Sequence, residues 1–212
     1  MDAAGIYQWL LDGRSTFEVH VICSITALAM CEARANGHAV TAGLGLAGPE
    51  LKTLADQFFP HASPLIHEMG GDSPLAVPED EACLRDLLAR YSSSGSALQQ
   101  QLSLLIARRA MRPNHLWQDL GLRNRGELSQ LLRTHFAPLA NRNTRDMKWK
   151  KFFYRMICRD EGYRLCTAPS CAECDDFQVC FGDESGESLM ARTRLGAASG
   201  LVLLQFQAPE NQ

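Results

Sequence analysis

The sequence predicts a mainly α-helical fold: a single helical domain carrying an irregular C-terminal four-cysteine loop. Three observations carry that expectation. Apolar residues recur at helical spacing behind capping residues along most of the chain. Strand signals are scarce, and only Leu201-Val-Leu-Leu-Gln-Phe206 reads as a short strand, or equally as a strip packed on the helices. Four of the eight cysteines, Cys166, Cys171, Cys174 and Cys180, crowd into one short run. The expected organisation is a helical domain over 1–162, the cysteine loop over 163–182 and a tail over 183–212 that packs on the domain or extends from it.

The N-terminal third reads as helices. Ser15-Thr-Phe-Glu18 is a capping-box pattern, and the apolar run behind it carries to about Ala35 before Gly37 stops it. That helix is apolar over much of its circumference, which makes it the central one of the core. Gly43-Leu-Gly45-Leu-Ala-Gly48 matches a dinucleotide-binding string, but no strand precedes it, and Pro49-Glu50 instead opens a helix through Leu51, Leu54 and Phe58. Residues 60–78 read as a long loop broken by Pro64, Gly70-Gly71 and Pro74, with His61 and His67 as solvated loop histidines. Pro78-Glu-Asp-Glu81 starts an acidic-headed helix to about Tyr91, with Leu84, Leu87 and Leu88 inward. Ser96-x-x-Gln99 caps the next helix through Leu102, Leu105 and Ile106 to Met111. Short helices follow at 116–120 and 127–136, and Asn143 and Thr144 offer caps for a long helix ending near Glu161-Gly162. No internal repeat is visible.

The chain of 212 residues is long enough for a sizeable core, and 46% hydrophobic with 21% charged residues is ordinary for a globular protein. It opens Met1-Asp2-Ala3-Ala4, without the basic and apolar stretches of a secretory signal, and the apolar run at 19–30 is interrupted by His20, Ser24 and Thr26. A cytoplasmic protein without a membrane span is expected. In that reducing compartment clustered cysteines read as metal ligands or redox groups rather than disulfides. The spacing Cys166-x4-Cys171-x2-Cys174-x5-Cys180, with Pro169 resisting helix, suits a metal-cluster loop. Structural zinc is the main rival. Electron transfer is another, since the first three cysteines reproduce the opening of plant-type ferredoxins, although those are small β-rich folds. Cys23, Cys31 and Cys83 sit among apolar helical neighbours as core filler, and Cys158 reads as core or as an accessory thiol. No Ser/His/Asp or paired-carboxylate constellation supports hydrolytic chemistry.

Charge is uneven. Residues 123–155 hold nine cations against Glu127 and Asp146, a net +7 in a chain of net −3. Such a face is either solvated surface or one that steers an anion or docks an acidic partner. Nucleic acid is not expected, given the acidic remainder and the few interleaved aromatics. Trp149, Phe152, Phe153 and Tyr154 read as core contacts rather than a stacking platform.

His115-Leu-Trp-Gln-Asp-Leu-Gly121, Asp146-Met-Lys-Trp-Lys-Lys-Phe-Phe-Tyr154 and Ala168-Pro-Ser-Cys171, together with the four-cysteine spacing, resemble the NifQ family of nitrogen-fixation accessory proteins. The resemblance is dense from about Ala107 to Gly182 and thinner before, and the four cysteines do not depart from the family pattern. It implies a metal carrier, not an enzyme, that supplies molybdenum for assembly of the nitrogenase iron–molybdenum cofactor. The ligands would be Cys166, Cys171, Cys174 and Cys180, holding a 4Fe-4S type cluster convertible to a Mo–Fe–S cluster. The implied partners are the cofactor scaffold complex and the nitrogenase iron protein, with molybdate or a Mo–S species as metal source.

Soft thiolates suit such clusters, whereas molybdate arrives as a hard oxyanion and must exchange oxygen for sulfur. Four cysteines would leave molybdenum under-ligated by protein. Water, a small carboxylate, Asp175, Asp176 or a histidine would complete its shell, and that incompleteness would let the metal leave. His115 and His135 lie in the family-like region but read as capping or packing residues.

Overall fold

The computed structural model describes residues 1–71, 74–160, 177–184, 186 and 188–190. Among these, regular structure is helical and no strand forms. The first helix, α1 (Ala3–Leu11), starts at Asp2, whose side chain accepts from the Gly5 amide at 2.8 Å. It packs along α2 (Phe17–Asn36), which runs through the centre of the molecule. Eleven residues of α2 from Val21 to Ala33 are buried, as a nearly all-round apolar sequence requires. Gly37 ends it in the left-handed conformation, at φ 67°. The N-cap is Thr16, one residue later than the capping-box pattern suggests, because the Glu18 carboxylate turns to His135 at 3.6 Å instead of back to the cap.

The glycine string joins α3 (Val40–Leu44) to α4 (Gly48–Phe58), so helices flank it where a dinucleotide fingerprint needs a strand. Glu50 reaches back to the Ala47 amide at 2.7 Å to fix the start of α4. Residues 60–78 are less loop-like than expected: α5 (Ser63–Glu68) forms inside them, with Pro64 in its first turn and Ile66 buried. His61 accordingly touches the Trp9 carbonyl (3.0 Å) and Asp12 (3.6 Å).

Then α6 (Glu79–Arg90) and α7 (Ala97–Ala110) pack on each other. Glu81 is not an exposed dipole partner but fully buried between them, gripped by Arg85 Nε at 2.9 Å and Arg108 Nε at 3.0 Å. After α7 come α8 (Leu116–Asp119), α9 (Arg125–His135) and α10 (Ala137–Ala140). The last long helix, α11 (Trp149–Asp160), packs on α6. It starts later than Asn143 would place it. Asn143 instead closes a tight turn, exchanging bonds with the backbone of Met147 at 2.9 Å each way, with Asp146 at φ 52°. Among the described residues the short helix α12 (Phe177–Phe181) follows.

The core is continuous from Ile6 to Met156. Cys23 is fully buried in it, but Cys31, Cys83 and Cys158 are only half-buried, so core filler describes the first of them alone. The end of the long helix near Glu161-Gly162, most of the cysteine loop and the 201–206 segment lie outside the described residues.

Candidate metal centre

Of the four loop cysteines, Cys180 lies among the described residues, half-buried on α12 and packed against the core. Cys166, Cys171 and Cys174, with Asp175 and Asp176, lie outside them. The described residues contain no group of three or more His, Cys, Asp or Glu side chains suited to hold a metal ion. What they do contain is the frame on which the end of the cysteine run is mounted.

That frame starts with α11. Trp149, Phe152, Phe153 and Met156 recur at helical spacing, and all four are buried. The aromatic residues pack edge-on or tilted against one another at centroid distances of 5.9–6.4 Å. Tyr154 faces out of this stack and is half-buried. Just before the helix, Lys148 holds α12 twice. Its amide donates to the Cys180 carbonyl at 2.9 Å, and its ammonium donates to the Gln178 carbonyl at 3.1 Å. Gly182 closes α12 by donating to the same Gln178 carbonyl at 2.8 Å. A Cβ at position 182 would collide with that oxygen, so the Phe-Gly ending of the run has a steric reason.

The chain after α12 is also clamped. Glu184 is buried, its carbonyl accepts from Trp117 Nε1 at 3.1 Å, and its carboxylate meets Arg125 Nε at 3.0 Å and His115 Nδ1 at 3.4 Å. Arg125 further donates to Asp146 and to the Met147 carbonyl, tying this clamp to the turn before α11. His115 therefore acts in packing against the Glu184 carboxylate, and its backbone caps α8 through Gln118. His135 is buried elsewhere, beside Glu18, and burial lowers its pKa from 6.5.

Beneath the clamp lies a buried ionic network. Arg109, fully buried, grips both oxygens of Glu32 at 2.8 Å and the Asp119 carbonyl at 2.5 Å. Arg112 adds a bond to Glu32 at 2.9 Å. The Asp119 carboxylate receives Asn114 at 3.0 Å and Lys150 at 2.6 Å, and Lys150 also donates to the Arg112 carbonyl. Burial lowers the Lys150 pKa, with Asp119 opposing the shift, and burial raises that of Glu32 while the two arginines pull it down to a net lowering.

These pairings revise the picture of a basic face. Lys150 points into the protein at Asp119, Arg125 is spent on Asp146 and Glu184, and Arg123 pairs with Glu127 at 3.3 Å. Arg133, Arg145, Lys151 and Arg155 remain on the exposed surface, and Arg142 lies over the Tyr91 ring. Sequence reasoning missed Glu184, Glu32 and Arg109. Glu32 and Arg109 are 77 positions apart, and only the apolar surroundings of Arg109 between Ala107 and Ala110 hinted at burial.

Fold and site together define a helical protein that presents the last cysteine of a clustered set from a short, doubly anchored helix. The sequence comparisons name that class. The NifQ family model matches residues 21–182, and the chain belongs to this family, whose members serve nitrogen fixation. The chain is 41% identical over 185 residues to the NifQ homolog of Sinorhizobium fredii, covering 85% of this chain and 78% of that one. It is 38% identical over 161 residues to NifQ of Rhodobacter capsulatus, covering 76% and 87%. NifQ of Azotobacter vinelandii matches at 42% identity over 83 residues, 39% of this chain and 43% of that protein. No solved structure matches.

Proposed function

We propose that this protein is a carrier that holds molybdenum on an iron–sulfur cluster and gives it up for biosynthesis of the nitrogenase iron–molybdenum cofactor. The observation that carries the reading is the mounting of Cys180, fixed through its own carbonyl to Lys148 at the head of α11. The residues that do the mounting, Trp117, Arg125 and Lys148, fall inside the family-matched span.

Cys166, Cys171, Cys174 and Cys180 would supply the thiolate donors, a donor type suited to iron–sulfur chemistry. Four cysteines would leave the molybdenum shell incomplete on the protein side. Water, a small carboxylate, Asp175 or Asp176 would finish it. His115 is a poorer choice, because Glu184 already engages its Nδ1. In this reading the protein has no turnover of its own, works in the cytoplasm, takes molybdate or a Mo–S species as metal source, and hands on to the scaffold complex and the iron protein of nitrogenase. Among the described residues no helix is long and apolar enough to cross a membrane.

The test is elemental analysis of protein purified without oxygen from molybdate-fed cells, beside Cys171→Ala and Cys174→Ala. Iron with molybdenum, lost together in both variants while far-ultraviolet circular dichroism stays helical, is the expected result. Colourless protein that keeps zinc through anaerobic reconstitution with iron and sulfide would overturn the reading, and iron without molybdenum would reduce it to an electron carrier.

A further inference from the structure

A cleft of about 250 Å³ opens between α1, α2 and the turn after α8, apart from Cys180. Tyr7, Gln8, His20 and Arg123 line it, and Ser188 and Met190 bring the segment after α12 to its edge. The Tyr7 hydroxyl lies 2.8 Å from His20 Nδ1, and His20 Nε2 lies 3.1 Å from Glu127 Oε2. Glu127 also accepts from the Arg123 amide at 2.8 Å. His20 and Glu127 are 12% and 15% exposed, whereas Arg123 stands at the rim, 71% exposed.

The proton count decides what this cleft can bind. With His20 neutral, Arg123 and Glu127 cancel. If Nε2 then carries the hydrogen, donated to Glu127, Nδ1 accepts from the Tyr7 hydroxyl and uses up its one proton. Protonated His20 donates from both ring nitrogens. The Tyr7 oxygen then accepts from Nδ1, its own hydrogen turns to the cleft, and the local charge becomes +1. The phenol stays protonated throughout, because burial raises its pKa and outweighs the opposing pull of Arg123. The titratable and charged groups around His20 are Tyr7 from α1, Cys23 on its own helix, and Arg123 and Glu127 from the α8–α9 side. In the protonated state Arg123, Tyr7 and the Gln8 amide are donors that line one small space, with one positive charge to be balanced.

We propose that this cleft binds a small tetrahedral oxyanion and takes up one proton from solvent on His20 as it does so. The inference needs no thiolate. It rests on the proposed function only in naming molybdate as the natural occupant, with phosphate and sulfate sharing the same chemistry.

Isothermal titration calorimetry on the full cluster-free chain tests it, with molybdate, phosphate and sulfate titrated separately in two buffers of different ionisation enthalpy. The expected result is one oxyanion per chain and a heat that shifts with buffer by about one proton. Arg123→Gln should weaken binding about tenfold or more, by losing a charge-assisted donor. Tyr7→Phe should weaken it as well, and His20→Gln should abolish the buffer dependence, each with an unchanged thermal midpoint as the folding control. No binding of any of the three at millimolar concentration, or unchanged affinity in Arg123→Gln, would overturn it. A chain with all four loop cysteines changed to serine separates the two proposals. Retained oxyanion binding there supports the cleft whatever becomes of metal loading, and loss of binding moves the site to the cysteines and refutes the cleft.

Discussion

Asp119→Asn offers the sharpest test of how α11 is held. The Asp119 side chain is 1% exposed and sits 2.6 Å from Lys150 Nζ, while its other oxygen accepts from Asn114 at 3.0 Å. Asparagine keeps the size but removes the charge against which Lys150 is buried. Breaking a buried pair by removing one partner costs about 3–5 kcal/mol. Lys150 keeps 19% of its side chain exposed and retains the Arg112 carbonyl, so the low end, about 3 kcal/mol, is expected. In a domain of this size that lowers the melting midpoint by about 6–12 °C.

The pH dependence follows from Lys150. Burial holds its folded pKa below 10.5, and removing Asp119 takes away the opposing effect. Between that lowered pKa and 10.5 the unfolded chain binds a proton that the folded chain does not, so the variant regains stability as pH rises through this window. Urea unfolding followed by circular dichroism at pH 7 and pH 9, in the single variants and in Asp119→Asn/Lys150→Met, measures both effects. The double variant should recover more than half of the loss. A cost below about 0.5 kcal/mol, or no recovery in the double variant, would refute the account of the pair.

Other consequences can be checked alongside. Gly121 sits at φ +73°, and a Cβ there would come within 2.9 Å of Leu28 and 3.0 Å of the Ser24 carbonyl, so Gly121→Ala should cost about 1–3 kcal/mol in chemical unfolding; a neutral result would mean the turn relaxes freely. Burial pushes the Cys23 thiol up to about 12, leaving roughly one thiolate in ten thousand at pH 8. Cys23 should therefore resist a thiol reagent until the protein unfolds, and rapid native labelling would contradict its burial. His135 is held below 6.5 by burial, so the unfolded state gains a proton first on acidification, and stability should fall as pH drops through 6.5. His135→Gln should flatten that fall, and parallel pH profiles would rule the group out. Charge reversal at Lys151 should weaken transfer to a partner without loss of stability, whereas Lys150→Glu should destabilise the fold itself; equal stability effects would argue against the inward pairing of Lys150.

Helices were legible where a cap and an apolar stripe agree locally. Ser96 with Gln99, Gly37, and Pro49 with Glu50 each act within four residues, and each helix limit they mark is close to the observed one. Legibility failed where a distant partner takes over a local signal. Glu18 leaves its capping box for His135, Glu81 leaves the helix terminus for Arg108, and Asn143 caps a turn rather than a helix. The same limit governed the site. Cysteine spacing pointed to Cys180, but its supports come from Trp117, Arg125 and Lys148, which nothing local connects. Net charge resolved only part of the basic face for a related reason, since a tally of cations along the chain says nothing about which carboxylates fold against Lys150 and Arg125.

The attachment of α12 to Lys148 sets the span of the cysteine run. The run leaves the far end of α11 at Asp160, while Cys180 is pinned beside the near end. Twelve helical residues separate those ends by about 18 Å. The sixteen residues from 161 to 176 have a contour of at most about 55 Å, three times what the crossing needs. Both ends of the run are thus tied to a single helix, with chain to spare between them. Unfastening the two Lys148 bonds would release one end of that tether and leave the helical core intact, a way to move Cys180 without unfolding the protein.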